Sequence, residues 1–122
     1  MILADTSVWI AHFRKALPFL PELVASGDLR MHPFIIGELA LGSVPDRRKL
    51  LEVLGALPTL VPALPTAILE FIETEVLFGT GIGYVDAHLL KSCADSADRL
   101  WTRDKSLAEQ AARLSLSFRE EA

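Results

Sequence analysis

The sequence predicts an α/β domain of three layers, with a central and mostly parallel sheet between helices. Two observations carry this reading. Short stretches at 1–5 (MILAD), 28–32 (DLRMH) and 98–102 (DRLWT) read as strands, and the segments between them carry helical spacing. Strands that alternate with helices imply right-handed crossovers, which leave a parallel sheet covered on both faces. The chain has 122 residues, 51% of them apolar, the size of one compact core, so residues 1–122 are taken as a single domain.

The elements follow in order. The strand at 1–5 runs into a helix at 6–14 (TSVWIAHFR). Residues 18–26 (PFLPELVAS) form a second helix, with Pro18 and Pro21 near its start and Gly27 just past its end. After the strand at 28–32 comes an apolar helix at 33–42 (PFIIGELALG), then an amphipathic one at 45–57 (PDRRKLLEVLGAL). Segment 66–78 (TAILEFIETEVLF) is helical into the glycines at 79, 81 and 83. Helices at 85–97 and 105–114 flank the strand at 98–102, and 59–61 (TLV) and 116–118 (LSF) are weaker strand candidates. No internal repeat, linker or low-complexity segment interrupts this order.

Twelve Lys and Arg against sixteen Asp and Glu give a formal charge of −4, which argues against a nucleic-acid coat held by basic charge. Two divalent cations held by the acids would neutralise that charge, and Arg14–Lys15 or Arg47–Lys49 could then meet a polyanion. Cys93 is alone, which excludes an intrachain disulfide and a Cys-based zinc site and fits a reducing cytoplasm. No apolar run of about 18 residues and no leader pattern is found, so a soluble protein without a membrane partner is expected.

In open α/β sheets ligands bind outside the carboxyl ends of the strands. Asp5 and Asp104 both follow strands, whereas Asp28 and Asp98 precede them and are expected at the opposite edge as surface acids. On a helix, Glu38 would have Phe34, Ile35, Leu41 and Gly42 beside it, and Asp86 would have Ile82, Gly83, Leu89 and Leu90. Both acids are therefore expected to face the protein, where an unpaired carboxylate costs several kcal/mol and is usually protonated, paired or metal-bound. Glu75, between Phe71, Ile72, Phe78 and Gly79, passes the same test and stays open. Helix capping is the competing role for Asp5 and Asp104. Acids gathered without a catalytic His or Cys suggest hard oxygen ligands for Mg²⁺ or Mn²⁺, and paired cations roughly 3.5–4 Å apart serve phosphodiester hydrolysis.

The segments ILADTSVWI, GELALG, YVDAHLL and LWTRDKSL, in this order and over nearly the whole chain, resemble the PIN-domain ribonucleases, most closely the VapC toxins of bacterial toxin-antitoxin pairs. The resemblance implies an acidic pocket for Mg²⁺ or Mn²⁺ built by Asp5, Glu38, Asp86 and Asp104, with Thr6 or Ser7 and Thr102 as hydroxyls beside it. It implies cleavage of RNA to a 5′-phosphate and a 3′-hydroxyl, a cognate VapB-type antitoxin whose tail lies in a groove beside the pocket, and a homodimer. It gives no role to Glu75 or Arg103.

Other α/β phosphate proteins fit less well. A receiver domain needs an acid pair after the first strand and an acid after the third; a haloacid-dehalogenase phosphatase needs Asp where Ser7 stands. The glycines of GTGIG lack the spacing of a phosphate loop. A catalytically silent PIN-like module that binds RNA or protein is the remaining alternative. Trp9, Trp101 and the stripe Leu50, Val53, Leu54 and Leu57 are assigned to the core, Cys93 to a buried apolar role, and His12, His32 and His88 to polar or capping roles.

Overall fold

A computed structural model describes residues 1–120. Three parallel strands, β1 (Ile2–Ala4), β2 (Leu29–Arg30) and β3 (Arg99–Trp101), lie in the order β2-β1-β3 and are flanked by helices. β1 is central, and Leu3 and Ala4 are fully buried, which is why this strand reads as unbroken apolar sequence. The two weaker strand candidates are present only as single parallel bridges, Thr59 to Met31 and Ser117 to Leu100. Pro58 supplies just one carbonyl, to Met31 N–H at 2.7 Å, and pairing stops after Leu60 N–H returns to Met31 at 2.8 Å.

Seven helices complete the described chain: α1 (Thr6–Arg14), α2 (Phe19–Ser26), α3 (Pro33–Leu41), α4 (Arg47–Gly55), α5 (Pro65–Thr74), α6 (Tyr84–Ser96) and α7 (Lys105–Arg113). α2 ends where Gly27 takes φ 76°, a left-handed position that costs glycine little. Pro33 opens α3 behind His32, whose Nδ1 accepts from Phe34 N–H at 3.0 Å and caps the helix. α5 stops at Thr74, short of the expected 78. Val76 turns left-handed at φ 53°, and Leu77 N–H closes on the Ile72 carbonyl at 2.9 Å as the Leu77 side chain drops into the core.

Leu3, Leu20, Ile35, Leu39, Leu54, Ile68, Leu90, Leu100 and Leu107 form one core that draws on the sheet and nearly every helix. Each such side chain contributes roughly 1.5–3 kcal/mol on burial. Trp9, Trp101 and Cys93 belong to this core, and burial pushes the Cys93 thiol up to about 12, where it is inert. In the predicted α4 stripe Leu54 is buried, whereas Val53 is exposed. His32 and His88 are buried as well, with Phe34 packed edge-on against both rings.

Asp28 is the expected surface acid, but Asp98 is not. Its carboxylate is only 3% exposed, ion-paired with Arg30 Nε and the Met1 ammonium, both at 3.2 Å, and it accepts from Ser96 Oγ at 3.0 Å. Its place before β3 does put it at the edge opposite Asp5. The parallel register sets Met1, just ahead of β1, beside it, and the Arg30 side chain reaches it from β2 across the central strand, so the acid ties the start of β3 to its neighbours.

Candidate active site

Asp5 stands where the chain leaves β1. Its N–H still donates to the Trp101 carbonyl at 3.0 Å, as in the sheet, while its side chain already belongs to α1. Oδ1 accepts from Val8 N–H at 3.2 Å and from Ser7 Oγ, and Oδ2 accepts from Thr102 Oγ1. Capping and membership of a charged site are thus one arrangement, since the cap fixes Oδ1 and so aims the carboxylate beyond the strand ends.

Ser7 and Thr102 are wired alike. Ser7 Oγ donates to Asp5 and accepts from Arg103 N–H at 2.9 Å; Thr102 Oγ1 donates to Asp5 and accepts from Asp104 N–H at 3.1 Å. Each hydroxyl has one proton and gives it to Asp5, so the two can only lie in contact with each other, at 3.4 Å. The loop after β3 is thereby bound to the carboxylate after β1.

Three further acids border the same space. Asp86 sits in the first turn of α6, where Oδ2 accepts from Gly83 N–H at 3.1 Å. Gly81, at φ 87° against Ser106, helps turn the chain into that helix. Asp104 caps α7, Oδ1 accepting from Leu107 N–H at 3.0 Å. Glu38 reaches in from α3, its Oε1 accepting from Thr6 Oγ1 at 3.0 Å. Asp5, Thr6, Ser7, Glu38, Asp86, Leu89 and Asp104 line a pocket of about 170 Å³.

The burial of the four differs from expectation. Asp5 is buried and Asp86 half-buried, but Asp104 and Glu38 are exposed. Glu38 does not face the core, because Leu41 and Gly42 one turn away are themselves exposed. Its apolar neighbours in sequence overstated its enclosure. Glu75 lies outside the pocket, where its backbone carbonyl receives Arg113 Nη2 at 2.6 Å. Leu89, expected only as an apolar neighbour of Asp86, is a wall of the site.

Burial raises the Asp5 carboxyl above its ordinary range, opposed by the donors Ser7, Thr102 and Val8, and the Asp86 charge pushes it up further. Asp86 is also raised, by burial first and then by the charge of Asp104, against the Gly83 N–H. The acids therefore repel one another across the pocket, and no Lys or Arg lines it. Among the described residues no three acidic, His or Cys side chains are drawn to the spacing of a preformed single-ion cluster. An all-oxygen donor set with a surplus of negative charge nevertheless suits Mg²⁺ or Mn²⁺. Mg²⁺ in particular binds through one or two carboxylates and keeps several waters, so it does not require three converged acids.

No family model matches the chain. It is 42% identical over 122 residues to Ribonuclease VapC32 of Mycobacterium tuberculosis, in strains CDC 1551 / Oshkosh and ATCC 25618 / H37Rv, covering 99% of this chain and 98% of the relative. In structure it is similar to PAE2754 from Pyrobaculum aerophilum, with a TM-score of 0.65 at 17% identity over 93% of this chain and 94% of that one. At that identity the second likeness speaks to the fold, which it shares throughout.

Proposed function

This chain belongs to the VapC family of PIN-domain ribonucleases, and from that premise we propose that it is a Mg²⁺- or Mn²⁺-dependent endoribonuclease toxin whose centre is the acidic pocket. The observation that carries the reading is the delivery of Asp5, Glu38, Asp86 and Asp104, from four separate elements, to one pocket lined by no cation. A catalytically silent module would have no need to bear this mutual repulsion.

Asp5, Asp86 and Asp104 would hold the metal, with Glu38 completing the set. When bound, the cation supplies a more acidic water and neutralises charge developing on the phosphate. The chain's own residues do the positioning. Ser7 and Thr102 fix the plane of the Asp5 carboxylate, and Gly83 and Leu107 N–H groups do the same for one oxygen each of Asp86 and Asp104. Thr6 occupies Glu38 Oε1, which leaves Oε2 to accept a proton from the attacking water. Attack on phosphorus breaks the P–O3′ bond, and the leaving O3′ takes a proton from solvent, which gives a 5′-phosphate and a 3′-hydroxyl.

A groove of about 380 Å³ between α1, α3 and the 42–45 loop shares Thr6 and Glu38 with the pocket and adds Ile10, Phe13 and Val44. An antitoxin segment laid there would cover the catalytic rim. The reading is completed by a homodimer and by a cytoplasmic setting, compatible with the lone buried Cys93 and with the absence, among described residues, of a helix long and apolar enough to cross a membrane.

Calorimetric titration with Mn²⁺ tests the proposal. The wild-type chain takes up the ion and Asp5→Ala binds it at least tenfold more weakly; equal uptake by both would remove Asp5 from the metal site.

A further inference from the structure

Arg103 lies between Thr102 and Asp104, and its backbone N–H is fixed on Ser7 Oγ at 2.9 Å. Its side chain does not line the acidic pocket. It lines a second cavity, of about 260 Å³, enclosed by β3, α7 and the 117–120 segment. That cavity joins Arg103 and Arg119 to Ser117, while Leu100, Trp101, Phe118 and the alanines of α7 form its apolar wall. It is several times larger than the ~30 Å³ share of a water molecule.

The group now on Arg103 is a carboxylate. Glu120 Oε1 lies 3.1 Å from Arg103 Nη2, with the two side chains 32% and 46% exposed. Ion pairs this open to solvent are weakly held and exchange readily. A guanidinium matches phosphate oxygens as well as it matches a carboxylate, in the same two-pronged geometry. An RNA strand with one phosphate among four acids must also find cationic contacts for its neighbouring phosphates. The acidic pocket offers none, and Arg103 stands on the same three-residue loop as Asp104, which lines that pocket, and Thr102, which holds Asp5.

We propose that this second cavity is a subsite for the RNA phosphate next to the scissile one, with Arg103 as its ligand and Glu120 as the carboxylate that occupies Arg103 until the strand arrives. The inference rests on the RNA-cleaving reading above and deepens it. Arg103 binds substrate without taking part in the chemistry, so its loss falls on KM. Glu120 competes with the phosphate, so its loss acts in the opposite direction.

The test compares wild type, Arg103→Gln, Glu120→Gln and Lys91→Gln, the last an equal charge change on α6 outside both cavities. Cleavage of a mixed-sequence single-stranded RNA with Mn²⁺ is followed over a range of salt. Arg103→Gln is expected to raise KM about tenfold with little change in kcat, and to flatten the dependence of log KM on log salt by about 0.7. Glu120→Gln lowers KM, and Lys91→Gln leaves it within about twofold. An unchanged KM in Arg103→Gln, or an equal rise in Lys91→Gln, overturns the subsite. Nuclear magnetic resonance of the Arg103 Nε–H during titration with inorganic phosphate gives an answer independent of cleavage. A shift absent in Arg103→Gln and enhanced in Glu120→Gln is expected, and no response up to saturating phosphate contradicts the proposal. If wild type cuts no RNA, the RNA-cleaving reading fails and this titration alone decides whether the cavity binds phosphate.

Discussion

Thr102 Oγ1 donates its proton to Asp5 Oδ2 across 97 residues of sequence, and accepts from Asp104 N–H at 3.1 Å. One hydroxyl therefore bears on both the ionisation of the most buried acid of the pocket and the start of the helix that carries another. Thr102→Val keeps the shape and removes the donor. Because that bond favours the charged carboxylate, its loss lets burial raise Asp5 further. Cleavage should fall about tenfold at neutral pH, and the acidic limb of the pH–rate profile should move to higher pH. A limb that stays in place would show that Asp5 does not limit the reaction.

The raised carboxyls also bear on stability. A group whose folded-state pKa lies above its unfolded value stabilises most below the unfolded value and loses that contribution as pH rises through the folded one. Both Asp5 and Asp86 are of this kind, by burial first. In metal-free protein Asp86→Asn should therefore raise Tm by a few degrees near pH 8, and the gain should vanish by about pH 4. Thermal scans in a chelator across that range measure it.

Metal should reverse that ranking, because an ion bound only by the folded state stabilises it. Mn²⁺ added in excess is expected to raise the Tm of wild type, by about 2.7 kcal/mol of stability at a hundredfold Kd, and to leave Asp86→Asn nearly unmoved. Equal gains in both proteins would place the ion elsewhere.

His32 has the opposite sign. Burial and then the nearby His88 push it down to about 4. Its stabilisation is present above the ordinary imidazole value and is lost as pH falls from about 6.5 towards 4, since the unfolded chain takes up the proton first. His32→Asn keeps a cap for Phe34 N–H and removes the titration, so its Tm should be lower near neutrality yet flatter across that window.

Asp104 separates structure from chemistry. Asp104→Ala gives up the α7 cap at a cost of about 1 kcal/mol, which is about 4 °C in a domain of this size, and loses cleavage. Asp104→Asn retains the cap and the Tm while cleavage is still lost. Activity that followed Tm across the pair would make Asp104 a capping residue only.

Much of this was readable in the sequence because local chemistry agrees with the fold. Gly27, Pro33 and Asp104 mark helix ends that the structure places at those residues, and the run Leu3–Ala4 reads as an apolar strand because it is buried on both sides. What escaped depends on contacts distant in sequence. Asp98 is buried by a partner on β2, and periodicity carries no trace of Arg30. Glu38 has apolar neighbours, yet Leu41 and Gly42 point to solvent, so sequence spacing could not report its exposure. The end of α5 turns on a left-handed Val76, a residue type with no propensity for it. For Asp5, capping and the charged site presented themselves as alternatives, and the same carboxylate does the first with Oδ1 while turning towards the second.

The most direct test is the rate of RNA cleavage by Asp86→Asn, purified and folded, with saturating Mn²⁺ and then Mg²⁺. The acidic pocket as catalytic centre predicts a loss of at least about a thousandfold against wild type, with the metal-free Tm unchanged or raised. Cleavage at the wild-type rate would contradict it.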